Sequence, residues 1–126
     1  MLSAVKKYRT EAKLLITYDE IVEIPMHTPI EMDETDPGAI VITKIHSCPF
    51  SQSLRVEMKP DNYWSTHYHD CIETIIVYNG TLINHKNETT IDRYNPALFK
   101  MYEPHLVESK TDAIFYVEFI NPDPKS

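Results

Sequence analysis

The sequence predicts an all-β domain, either a sandwich or a barrel. Three observations carry this. Short stretches alternate apolar with polar residues, or run apolar for a few positions, which is the pattern of strands rather than helices. Turn signals such as Pro37-Gly38 and Asn79-Gly80 separate these stretches at short intervals, as many short strands require. The chain of 126 residues is 42% hydrophobic and 25% charged, which suits one globular domain over residues 1–126 with a core that needs no staples.

Taken in order, Ser3 to Leu15 is the best helical candidate, although its apolar spacing is irregular. "EIVEIP" at residues 20 to 25 is expected as a strand, and "MHTPIEMDETDPGA" as a loop closing on a Pro-Gly turn,. "AIVITKI" follows as a strand. In "SLRVEMK", Leu54, Val56 and Met58 share one face, with Arg55 and Glu57 on the other,. "IETIIVY" ends at Asn79-Gly80, a two-residue hairpin signal that needs positive φ at Gly80, so "TLINH" is expected to return beside it,. "HKNET" makes another turn. Short strands continue around "ALFKMY" and "HLVES", "AIFYVEFI" closes the series, and the polar tail "NPDPKS" is expected to fray,.

Charge narrows the partners. Twelve Lys and Arg against nineteen Asp and Glu give a formal charge of -7, which argues against a nucleic-acid backbone or an anionic membrane as partner. The first twenty residues contain no apolar run long enough for a signal peptide, and no stretch has the length of a transmembrane helix, so a cytoplasmic protein is expected. Cys48 and Cys71 are too few for a disulfide scaffold and lie in no CxxC pattern; both are read as reduced thiols.

Chemistry concentrates in "HYHDCIETIIVYNG", residues 67 to 80. His67 and His69 have the same parity, so on an extended strand both project from one face, about 7 Å apart. Glu73 follows a short break, and a turn there brings its carboxylate back towards the imidazoles. Two His and one carboxylate form a facial set with open coordination positions, the mark of a catalytic rather than a structural ion. Ile75 and Val77 share the parity of Glu73 and make an apolar floor beside it.

His67-Tyr-His69, three residues, Glu73, six residues and Gly80 together resemble the first motif of the cupin superfamily. The motif's leading glycine would fall at Asp61, in "KPDNYW". The second motif survives only as "YNP", an apolar strand and Pro104-His105, without its glycine. The resemblance covers residues 39 to 121. It implies a cupin-type conical β-barrel (a jelly roll) with a short N-terminal extension, and one divalent metal ion inside: iron, nickel, manganese, zinc or copper. The implied ligands are His67, His69, Glu73 and His105. Ligand type alone does not choose among these ions.

Around that site, Arg55 is a candidate anion clamp for a carboxylate substrate. Tyr102 and Glu103 are candidate acid, base or hydrogen-bond partners. Tyr116, with Glu118, lies on the polar face of the last strand and either lines the cavity or faces water. Arg55, Ile75 and Tyr116 form the expected substrate-binding set. His27, His46 and His85 have no comparable context. Cupin lyases acting on sulfonium compounds can carry a tyrosine two residues after the glutamate, where this chain has Ile75, and thiol dioxygenases of the superfamily usually lack the glutamate. Two readings stand: a metal-dependent enzyme (dioxygenase, isomerase or lyase) on a small polar or carboxylated metabolite, or a non-catalytic cupin that binds a small ligand or metal for sensing or assembly. A fold alone does not choose between them. "EIVEIP" is a candidate sheet edge for a second copy, so a homodimer is expected.

Overall fold

The computed structural model describes residues 13–32, 36, 38–64 and 66–123. Its elements are β1 (Lys13–Leu14), α1 (Tyr18–Glu23), β2 (Ile30–Glu31), β3 (Ile40–Ser47), β4 (Ser51–Met58), β5 (His67–Tyr68), β6 (Ile72–Asn79), β7 (Leu82–Asn84), β8 (Thr89–Ile91), β9 (Ala97–Phe99), β10 (Val107–Ser109) and β11 (Ala113–Ile120). A six-stranded sheet has the order β2-β3-β4-β11-β6-β9 and a three-stranded sheet the order β10-β7-β8, all pairs antiparallel. A short parallel pair joins β1 to β5.

Alternation decides which way each strand of the large sheet faces. Leu54, Val56 and Met58 on β4, Phe115, Val117 and Phe119 on β11, and Glu73, Ile75 and Val77 on β6 are all buried. Leu82 and Ile91 of the small sheet join the same core. Backbone register seals it: Phe115 lies opposite Val56 on one side and Val77 on the other. The jelly-roll arrangement is present, but the two sheets are not one closed ladder. Among the described residues, isolated bridges at Tyr63–Glu108 and His67–His105 tie the small sheet's side to the loops preceding β6.

Several local expectations are corrected. Residues 20 to 25 do not form a strand, because Thr17 caps a helix there. Its hydroxyl accepts from the Glu20 amide while the Glu20 carboxylate accepts from the Thr17 amide, a reciprocal box that nucleates the first turn. Tyr18 and Ile21 bury the inner face at helical spacing,, and Pro25 follows the end,. These residues therefore present no strand edge to a second copy. Lys44 pins the helix's C-terminal end, its buried ammonium donating to the carbonyls of Ile21 and Val22,.

Asn79-Gly80 does not make a hairpin. β6 pairs with β11 and β9, whereas β7 pairs with β10 and β8, so the turn carries the chain from one sheet to the other. Gly80 has φ +96 as expected, but space also demands it: a Cβ there would collide with the Asp112 carbonyl and stand 2.8 Å from Ala113 Cα. The proposed helix of Ser3 to Leu15 lies mostly outside the described residues, and its last part, Lys13–Leu14, is the strand β1. The expected loop after residue 25 also contains β2. The tail is described only to Asp123, and its first residue is held, since the Asn121 amide donates to the Phe50 carbonyl.

Candidate metal centre

His67, His69, Glu73 and His105 are all buried, and one ligand atom from each lies within 4.8 Å of the others. Each arrives by a different local device. His67 and His69 flank Tyr68 at the end of β5. The chain then turns at Asp70 and Cys71 and enters β6, where Glu73 is the second residue. Asp61 stands where the motif's glycine would be, and it takes the left-handed conformation itself, with φ +63, which Asp tolerates better than most residues.

His105 is brought in by backbone pairing. The amide of His67 donates to the His105 carbonyl and the amide of His105 to the His67 carbonyl. This double exchange makes the two residues direct cross-strand neighbours. The turn before it is fastened too, since the Tyr102 amide donates to the His69 carbonyl at 2.7 Å. The ring centroids of His67 and His105 are 4.4 Å apart, and those of His67 and His69 5.0 Å. Phe99 stacks flat on His105, and Phe119 meets His69 edge to face.

Two hydrogen bonds choose tautomers. His69 donates from Nδ1 to the Ile16 carbonyl at 3.2 Å, and His105 from Nδ1 to the Glu103 carbonyl at 2.9 Å. Each neutral ring thereby turns a bare Nε2 inward, as metal-ligating histidines do. His105 Nε2 and Glu73 Oε2 face each other at 2.8 Å, both buried and neither hydrogen-bonded. Two lone pairs at that distance repel unless a cation or a proton lies between them. Donors bound at about 2.1 Å to one ion stand roughly 3–4 Å apart, the order of the separations found here. The residues present therefore fit a divalent ion.

Burial alone would lower the His105 imidazole, but the Glu73 carboxylate outweighs it and the net shift is upward. Burial alone would raise Glu73, yet the facing His105 imidazole and then those of His69 and His67 hold it below the usual carboxylate range. Burial dominates at His69, whose pKa falls despite Glu73.

The cluster opens on a cavity of about 160 Å³. Ile75, expected as apolar floor, lines it with Val107. Arg55 and Tyr116 do not. They pair across β4 and β11 on the opposite face of the large sheet, where Arg55 also holds Glu57. Tyr102 is 59% exposed at the protein surface. The Glu103 carboxylate binds Lys86 and the Lys100 amide while its carbonyl orients His105. Neither lies among the cavity-lining residues.

Sequence reasoning missed the cover. Leu15, Ile16, Ile21 and Ile24 line the cavity from the N-terminal side, and Trp64 from the loop before β5. Asp70 fastens the cover by accepting from the Tyr18 amide at 2.8 Å. The three-residue step from Tyr18 to Ile21 to Ile24 was the available signal,. His85 is a second surprise: it is buried on Glu108 at 2.7 Å, away from the cavity.

No family model matches the chain, and no curated protein matches it. Solved structures do. An RmlC-like cupin from Shewanella frigidimarina superposes with TM-score 0.65 at 10% identity, covering 79% of this chain and 85% of that one. KdgF from a Halomonas species gives 0.64 at 12%, with 79% and 88% covered. An acetylacetone dioxygenase from Acinetobacter johnsonii gives 0.62 at 14%, with 82% and 78% covered.

Proposed function

The chain has the cupin fold, and from that premise we propose that it is a metal-dependent enzyme acting on a small molecule. One observation carries the reading: His105 Nε2 and Glu73 Oε2 face each other buried and without hydrogen bonds, beside an apolar-walled cavity. A divalent ion held by His67, His69, Glu73 and His105 would supply Lewis acidity or activate oxygen or water at its open positions. The protein's own residues do the rest. Ile16 and Glu103 hold two rings in the ligating tautomer through their carbonyls. The apolar residues around the cluster lower the local dielectric and so strengthen the electrostatic interactions inside it,.

Among the superposed structures is one named as an acetylacetone dioxygenase, so oxygen chemistry is the first class to test. Purified protein is analysed for bound metal. It is then stripped, reloaded with iron, manganese, nickel, copper or zinc in turn, and screened for oxygen consumption and for product with pooled metabolites. Stoichiometric metal with turnover supports the reading. Metal with no turnover in any pool leaves a ligand- or metal-binding protein. Failure to retain any of the five ions sinks the proposal.

A further inference from the structure

We propose that the cavity takes a ligand with a hydrocarbon body about the size of a substituted benzene ring. The ligand carries a single oxygen-donor head and no second charged or strongly polar group. The placement of the head rests on the metal-centre reading; the nature of the body rests on the lining alone.

The walls are aliphatic and aromatic from every direction. Leu54, Val56, Phe115 and Val117 come from the large sheet, and Ile21 and Ile24 from the α1 side. Outside the His/Glu cluster, the one side chain among the described lining residues with a strong hydrogen-bonding group is Trp64, a donor only,. No arginine or lysine is among them. Arg55 lies on the other face of the sheet, and the Lys44 ammonium is committed to two carbonyls. A hydroxyl or amide buried against these walls would lose its water and gain no partner, and a second charge would lose far more.

Size and charge sharpen this. The cavity volume is about 160 Å³, close to the ~150 Å³ apolar cavity that holds benzene. Glu73 supplies one negative charge against the two of a divalent ion. A single anionic oxygen head, such as an enolate or a lone carboxylate, would bring the buried site to neutrality. Sugars, amino acids and dicarboxylates each carry polar groups that these walls cannot satisfy. The carboxylate clamp expected of Arg55 has no counterpart in the cavity, so recognition falls to the ion at one end and to hydrocarbon contact elsewhere.

Trp64 is the one tryptophan in the chain, so its fluorescence reports occupancy without any assay of turnover. Zinc-loaded protein is titrated with butyrohydroxamate and with β-alanine hydroxamate. These share the chelating head and the number of heavy atoms, and differ in a terminal methyl against an ammonium. The methyl compound should bind at least about a hundredfold more tightly. Binding of the two within threefold would overturn the proposal. Metal-free protein is titrated in parallel with toluene and with benzylammonium. Toluene should shift Trp64 emission and raise the melting temperature, and benzylammonium should do neither. If zinc does not bind, the metal-centre reading fails, and the toluene arm alone decides whether the cavity is a hydrocarbon site. If toluene changes neither signal, the proposal falls even where zinc binds.

Discussion

Phe99 lies flat against His105, with ring centroids 4.1 Å apart and planes inclined by 10°. Phe99 sits on the edge strand β9, directly opposite Glu73 on β6. One buried aromatic thus supports the two residues whose bare atoms face each other across the site. Phe99→Ala should cost about 3–5 kcal/mol of stability, the usual range for a buried aromatic truncated to alanine. It should also weaken metal binding, because the His105 ring loses its backing. Denaturant unfolding of the metal-free protein beside a metal titration separates the two effects. A variant as stable as wild type would show that the stack carries no packing energy.

His105 is also the ligand that the sequence supports least. Replacing it with Gln keeps bulk and polarity but removes a good donor. Metal affinity should fall at least tenfold, or about 1.4 kcal/mol, with circular dichroism unchanged. An unchanged affinity would leave a site of two histidines and one glutamate.

Gly80 should tolerate nothing larger. Alanine there meets both the cost of φ +96, about 1–3 kcal/mol, and a collision with the backbone at Asp112 and Ala113. Gly80→Ala should lower the melting temperature more than any single change on the outer face of β6, such as Tyr78→Ala, where the side chain is 65% exposed. Thermal unfolding of the two variants side by side checks the ranking.

The two thiols should behave as opposites. The Phe50 amide, then the Ser51 hydroxyl and His46, pull the Cys48 thiol down to about 7. Burial, followed by the charges of Asp70 and Glu73, pushes Cys71 up to about 12. The thiolate is the reactive form, so iodoacetamide labelling of Cys48 should rise through a midpoint near pH 7. Cys71 should stay unlabelled until the chain unfolds. Peptide mass spectrometry over a pH series reads both sites, and equal labelling of the two at pH 7 would contradict the assignment.

The sequence by itself determined what depends on neighbours along the chain. Period-two alternation placed the long strands, because one sheet face is buried and the other is not; Leu54, Val56 and Met58 show this directly. The grouping of His67, His69 and Glu73 was legible for the same reason, since a span of seven residues leaves few geometries. Only tertiary structure decided the rest. "EIVEIP" holds apolar residues at spacings that suit strand or helix, and the Thr17–Glu20 box settled it as helix. Asn79-Gly80 specifies a tight reversal but not which sheet receives the next strand; that depends on β7 finding β8 and β10. Parity put Arg55 and Tyr116 each on the polar face of its own strand, yet their pairing, and the turning of that face away from the cavity, followed from strand register and from where the opposite faces were buried. His105 was named from what survives of the second motif, but what brings it to the site is a long-range backbone pair with His67. Long-range pairing and burial are properties of the whole chain, so no single stretch can encode them.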